Sequence, residues 1–172
     1  MTWLMILGLT IPSVVVLLAV YLMFRQYFNH QMQTFLLQSK KNRDQITLPM
    51  RLQAYERLTL LCERIELADL ILRLKAPGSS AGELQSTLIV AIQQEYEHNL
   101  TQQLYVSEDL WQILLLAKNK TMDLVSLAAR SLSSQASGDD YVRNLFDLAS
   151  KEEKLPSQIA KSAIKTESSF WL

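Results

Sequence analysis

The chain has 172 residues, of which 17 are basic and 17 acidic, so its formal net charge at neutral pH is zero. This balance provides no global field that would attract nucleic acid, and we expect no nucleic acid among its partners. The one cysteine, Cys62, excludes an intrachain disulfide, which agrees with a reducing compartment.

The first 24 residues form an apolar stretch without a charged side chain. A helix over residues 3–24 would reach about 33 Å, and the hydrocarbon core of a bilayer is about 30 Å thick. In lipid, a single segment can satisfy its backbone polar groups only as a helix. The sequence therefore predicts a transmembrane anchor over residues 1–24, with the lipid bilayer as its partner.

Basic residues follow this stretch directly, since residues 25–43 contain four of them and no acid. Basic residues close to a span are retained in the cytoplasm. The pattern predicts a single-pass protein of the inner (plasma) membrane, with its N-terminus outside and its C-terminal domain in the cytoplasm. The side chains that we expect at the membrane interface are aromatic or basic: Trp3, Tyr21, Arg25, Tyr27, Phe28, Lys40, Lys41 and Arg43.

Residues 25–48 are interpreted as a basic amphipathic stalk and linker. Apolar side chains recur there at steps of three or four from Phe24 to Leu36, which is typical of a helix. This helix either stands off the membrane or lies along its surface. A polar linker follows over residues 40–45.

Residues 49–135 are predicted to form the core of a helical bundle. Thr47 as N-cap and Pro49 in the first turn indicate a helix from Pro49 to Lys75. Its apolar stripe has helical spacing and is wide enough for a bundle. The stripe contains Leu58, Leu61, Ile65, Ala68 and Leu72.

Two further long helices are predicted after a turn at residues 76–82. Ser80 and Glu83 form a capping-box pattern for the first, which runs to about Leu104. Ser107 is the expected N-cap of the second, which runs to about Ser133. Short connections favour antiparallel neighbours, so the predicted fold is all-α, an antiparallel bundle of three long helices plus one or two short C-terminal helices.

Residues 136–172 are predicted to contain these short helices and an apolar tail. Asp139 is the expected cap of the first, and Pro156 interrupts the chain before a last turn or two. Free chain ends seldom carry large apolar side chains, so we expect Phe170, Trp171 and Leu172 to dock on this domain, on the membrane surface or on a partner. Phe170 and Trp171 are therefore further candidates for partner binding.

The sequence offers little catalytic chemistry, and we predict neither an enzyme nor a cofactor or metal site. Cys62 lies at an apolar helical position without a histidine on the same element, which favours a small core residue over a nucleophile. Glu95 and His98 have the helical i, i+3 spacing of metal ligands, but no second carboxylate–histidine set accompanies them.

Aromatic and amide side chains are concentrated between the second and third long helices. Such side chains are favoured at protein interfaces because they bury area and keep directional hydrogen bonds. The candidates for partner binding here are Tyr96, Asn99, Gln103, Tyr105 and Trp111. The alternative is that the aromatic rings close the end of the bundle while the amides bond loop backbone.

The segment Tyr-Glu-His-Asn-Leu-Thr-Gln-Gln-Leu-Tyr-Val-Ser at residues 96–107, followed by Trp111 and Lys118, resembles an uncharacterised family of single-pass membrane proteins of Bacteroidota-type bacteria. The resemblance covers most of residues 1–135. It implies a bacterial inner membrane, a cytoplasmic helical domain and no assigned activity.

These patterns favour a non-catalytic, membrane-anchored accessory subunit or adaptor of a larger cell-envelope complex. Its partners would be other subunits of that complex, bound through the helical bundle. One alternative is a scaffold that associates with itself. A further alternative is a small-molecule sensor or enzyme with a pocket near His98 and Trp111.

Overall fold

The structure, a computed structural model, describes residues 2–133 and 135–171, with their side chains except at residues 2–14, 33, 35–37 and 39–44. This part of the chain is helical and contains no strand, which confirms the predicted all-α class. Its elements are α1 (Thr2–Arg64), α2 (Leu67–Leu74), α3 (Ala81–His98), a 3-10 helix (Leu100–Leu104), α4 (Glu108–Arg130), α5 (Gly138–Ala149) and α6 (Pro156–Ser168).

No helix in the described part of the chain has an apolar stretch that is long enough to cross a membrane. The predicted anchor over residues 1–24 falls largely on residues 1–14, whose side chains lie outside the described part. The anchor therefore stays a prediction.

The chain divides into two compact units, Met1–Thr47 and Leu48–Leu172. In the first unit every described side chain is exposed. The second unit is a helical bundle with one buried apolar core, to which the end of α1 and all the later α-helices contribute.

Helix α4 is the central element of the bundle and packs against α3, α5 and α6. Its buried residues recur at steps of three, four or one, so they cover a wide sector of the helix. They are Leu110, Trp111, Leu114, Ala117, Thr121, Leu124, Val125 and Ala128. Full burial of a Leu or Val side chain contributes on the order of 1.5–3 kcal/mol, so the burial of this sector stabilises the bundle.

The prediction that a helix begins at Pro49 is wrong, because α1 runs through residues 40–49 without interruption. The predicted linker over residues 40–45 is therefore helical. A proline inside a helix removes one backbone hydrogen bond, but it does not end the helix where the residues on both sides are compatible with helical geometry. Residues 25–48, which precede Pro49, contain neither glycine nor proline, so they carry no strong helix-breaking residue.

The predicted helix from Pro49 to Lys75 is broken near its middle, at Ile65 and Glu66. Glu66 has an extended backbone, with φ −64° and ψ 133°, and it precedes α2. After this break a different face of the segment meets the core, and as a result Leu67 and Leu70 are buried. The predicted stripe is consequently wrong at its last two positions, because Ala68 is exposed and Leu72 is 86% exposed.

Helix starts were predicted with mixed success. Ser80 and Glu83 form the predicted capping box, and Ser107 caps α4, accepting a hydrogen bond from the Leu110 amide at 3.1 Å. The prediction for Asp139 is wrong, because Ser137 is the N-cap of α5. Asp139 instead pairs with Lys75. Helix α6 is longer than the predicted turn or two.

Two loops of the bundle are joined by backbone hydrogen bonds immediately before the starts of α3 and α5. The Gly138 amide donates to the carbonyl of Ser79 at 2.8 Å, and the Ala81 amide donates to the carbonyl of Ala136 at 3.0 Å. A Cβ atom on Gly138 would lie only 2.8 Å from the Ser79 carbonyl oxygen. This close backbone approach is the reason for glycine at position 138.

We expect Gly138→Ala to lower the free energy of unfolding by about 1–3 kcal/mol, because the new methyl group forces the two loops apart. Gly82→Ala is the matched control, since a Cβ there meets no atom within 4 Å. That substitution lies in α3 and should be neutral or stabilise by up to about 1 kcal/mol. Chemical denaturation of both variants checks the pair, and equal stabilities would contradict the role of the loop contact.

Candidate interaction surface

The corner between α3 and α4 is formed by the 3-10 helix and is closed by two buried aromatic rings. The Tyr96 and Trp111 rings contact each other in a tilted arrangement, with their centroids 5.5 Å apart and an interplanar angle of 31°. Asn99 is also buried, and its side-chain amide donates to the carbonyl of Glu95 at 2.8 Å. These three side chains are committed to packing within the bundle, and their predicted role in partner binding stays a prediction.

A polar network covers the outer side of Tyr96. The Lys118 ammonium lies 4.9 Å from the centroid of the Tyr96 ring and donates to the side-chain oxygen of Gln93 at 3.1 Å. Gln93 in turn donates to Glu97 at 2.7 Å. Burial raises the pKa of Tyr96 above its usual value, so the phenol is neutral at physiological pH. The network joins α3 to α4 and offers no acid–base pair.

The outer side of the same corner is exposed. Gln103 and Tyr105, both predicted partner-binding residues, face solvent there. Leu104 lies between them and is 78% exposed, which we did not predict because its position continues the apolar spacing of α3. A break from α-helix to 3-10 geometry changes the direction in which successive side chains point. No local signal in the sequence marks that break.

Glu167, near the end of α6, holds the C-terminal segment against this corner. One of its carboxylate oxygens accepts hydrogen bonds from the Tyr55 hydroxyl and from the Ser107 amide, each at 2.9 Å. The other carboxylate oxygen accepts from the Ser107 hydroxyl. Burial, and next the hydrogen bond to the Glu167 carboxylate, raise the pKa of Tyr55 to about 12. Glu167 thereby links α6 to α1 and to the capped start of α4.

Two aromatic residues, Phe170 and Trp171, lie just after the end of α6. The Arg51 guanidinium lies 4.0 Å from the ring centroid of Trp171, a cation–π contact within the second unit. The predicted partner-binding role of Trp171 stays a prediction. Phe170 remains 79% exposed, and Leu172 lies outside the described part of the chain. An open groove of about 470 Å³ lies between these residues and the corner, lined by Arg51, Val106, Ser107, Glu167, Phe170 and Trp171.

We call the apolar residues in and beside this groove the corner surface. It consists of the half-buried Val106 and the exposed Phe170 and Trp171, which line the groove, and of the exposed Leu104 and Tyr105, which directly precede Val106 in the chain. Single exposed apolar side chains are ordinary on protein surfaces, whereas a group of them beside a groove is typical of an interaction site. The composition of the corner surface is suited to an apolar or aromatic group.

Cys62 is fully buried in the core. Burial raises the pKa of its thiol to about 12, so the thiol is protonated and unreactive at neutral pH. Nearby, the Lys161 ammonium donates to Glu63 at 3.0 Å and to Glu66 at 2.9 Å, and so ties α6 to the break between α1 and α2. Among the described side chains, no group of three histidine, cysteine or acidic residues could hold a metal ion.

The residues predicted at the membrane interface lie in the first unit. Tyr21, Arg25, Tyr27 and Phe28 are exposed on α1. The side chains of Trp3, Lys40, Lys41 and Arg43 lie outside the described part of the chain.

A model of a family described as of unknown function, DUF7935, matches residues 1–170. No curated protein and no solved structure matches the chain. The family match carries no information on topology, so the resemblance to single-pass bacterial membrane proteins stays a prediction.

We expect Glu167→Gln to lower the free energy of unfolding by about 1–3 kcal/mol, because the substitution removes a charged acceptor of three hydrogen bonds. Glu152→Gln is the matched control, since Glu152 lies exposed in the loop before α6. Thermal unfolding of the two variants gives the comparison. A Glu167→Gln protein as stable as the control would show that the carboxylate does not hold α6 in place.

Proposed function

The chain belongs to the DUF7935 family, and we propose that it is a membrane-anchored, non-catalytic accessory subunit or adaptor of a larger cell-envelope complex. In this proposal the anchor is the N-terminal apolar segment, and the helical bundle faces the cytoplasm. The corner surface is the site that binds other subunits. The observation that carries the proposal is the distribution of exposed apolar side chains along the chain.

Support for the membrane anchor comes from residues 15–24. All ten of these side chains are exposed and none is charged, so this part of α1 has no polar face to present to water. A helix that is apolar on every side is stable only where apolar material surrounds it. Lipid hydrocarbon does so without a specific partner on each face. The uncharged sequence continues through residues 2–14.

Support for the partner-binding role comes from the corner surface. Phe170 and Leu104 are among the most exposed large apolar side chains of the second unit. Aromatic anchors beside an open groove are the usual centre of a protein interface. Two contacts join the sides of the groove: the Ser107 amide donates to Glu167, and the Arg51 guanidinium lies over the Trp171 ring.

A sensor or an enzyme is less well supported. The predicted pocket near His98 and Trp111 requires an open space, whereas Trp111 is buried against Tyr96 and His98 is exposed. The thiol of Cys62 is protonated at neutral pH and enclosed in the core.

We expect the wild-type protein to sediment with membranes and to resist extraction at alkaline pH. Val16→Asp should increase the extracted fraction severalfold, because a carboxylate within a spanning helix costs about 3 kcal/mol. Gln53→Asp introduces the same charge at an exposed position of α1 in the second unit and should have no effect. A wild-type protein found entirely in the soluble fraction would contradict the anchor.

We expect the protein, solubilised gently from its native membrane, to migrate on a native gel in an assembly of fixed stoichiometry. Leu104→Ser removes the most exposed aliphatic side chain of the corner surface and should release the protein from that assembly. Leu116→Ser, the same change at an exposed position of α4, should leave the assembly intact. If both variants behave like the wild type, the corner surface is not the binding site.

A further inference from the structure

Leu72 on α2 is the most exposed of the large apolar side chains that the structure describes, at 86%. The other large apolar residues of the helix face the bundle, and Leu67, Leu70 and Ile71 are buried. The break at Glu66 orients the helix in this way. Leu72 therefore lies at the centre of a helix face that has no partner within the described part of the bundle.

The exposed face of α2 consists of four residues at positions i, i+1, i+4 and i+5: Ala68, Asp69, Leu72 and Arg73. Asp69 forms no ion pair with any described residue, and the Arg73 guanidinium donates only to the carbonyl of Arg64, at 3.2 Å. The face thus presents one large apolar side chain, one small side chain and two opposite charges that have no ionic partner among the described residues.

Charge on and beside this face is balanced. A shallow depression of about 340 Å³ is lined by two acidic residues, two basic residues and Leu72, namely Glu63, Asp69, Arg64, Arg73 and Leu72. A strongly acidic or strongly basic partner would meet as much repulsion as attraction there. A second copy of the same face brings an equal number of charges of each sign, and a two-fold axis can place opposite charges together.

We propose that α2 mediates self-association of the chain, through an antiparallel pairing of α2 with α2 of a second copy. The two-fold axis crosses the exposed face of α2 at the level of Leu70 and Ile71 along the helix. Leu72 of each copy then packs over Ala68 of the other, where the small side chain leaves room for it. Asp69 of each copy lies opposite Arg73 of the other, so that two identical ion pairs flank the apolar contact.

The pairing is a weak one, because a helix of eight residues is only about 12 Å long and the interface falls below the roughly 1,200 Å² of stable complexes. Confinement of copies on a common surface would raise their effective concentration. The pairing itself does not require the membrane anchor or the corner surface. Its test is accordingly independent of the proposed function.

Charge reversal tests the pairing on the full chain purified in detergent, with sedimentation equilibrium as the measurement. Asp69→Arg and Arg73→Asp should each weaken the dimer about tenfold or more, since two attractive contacts become repulsive. An equimolar mixture of the two variants should restore association, because each arginine then faces an aspartate. The double variant Asp69→Arg/Arg73→Asp should also associate. Asp147→Arg, an exposed reversal on α5, is the control and should leave the dimer unchanged.

Cysteine cross-linking tests the register. Chains carrying Ala68→Cys, mixed with chains of different size carrying Leu72→Cys, should form a disulfide between the two sizes in preference to either size with itself. The native Cys62 is buried and does not compete. A wild-type protein that stays monomeric up to ~100 µM would overturn the proposal. So would a failure of the folded double variant to associate, a result that does not depend on whether the single variants fold.

Discussion

The packing of the second unit depends on covering the wide apolar surface of α4. This helix carries buried residues over a wide sector, and three other helices pack against it. A helix that is apolar over so much of its circumference cannot lie at the edge of a bundle, because its apolar surface would remain in water. The positions of α3, α5 and α6 follow from this constraint, and the end of α1 with α2 completes the core.

Polar contacts then determine how the helices end. The loops before α3 and α5 are joined by two backbone hydrogen bonds, from Gly138 to Ser79 and from Ala81 to Ala136. These bonds hold the starts of the two helices together. At the corner, the Glu167 carboxylate joins α6 to Tyr55 and Ser107. At the break after α1, Lys161 joins α6 to Glu63 and Glu66. Packing energy brings the helices together, whereas these contacts select one arrangement of their ends.

Three sets of exposed apolar side chains differ in their surroundings, whereas others, such as Val90, Leu116 and Leu127, lie elsewhere on the bundle. Residues 15–24 are apolar on every face, which suits lipid. The corner surface combines aromatic side chains with a groove, which suits a folded partner. The face of α2 combines Leu72 with balanced charge, which suits a second copy. An adaptor that is anchored, associates with itself and presents a binding site would use all three.

Features that depend on neighbouring residues could be predicted from sequence patterns. The all-α class follows from helical spacing of apolar residues, and the helix starts at Ser80 and Ser107 follow from capping chemistry within four residues. Tyr105 and Phe170, predicted as partner-binding residues, lie exposed in the structure, although their binding role stays a prediction.

Features that depend on residues far apart in the chain could not be predicted, because they follow from the packing of the helices. Glu167 bonds Tyr55 and Ser107 from 112 and 60 positions away, and no local pattern identifies such partners. The break at Glu66 has neither glycine nor proline to mark it, and it is stabilised by Lys161, 95 positions later. That break turned Leu72 from a predicted core residue into an exposed one, because the side of a helix that is buried depends on the direction of the helix and not on its spacing alone.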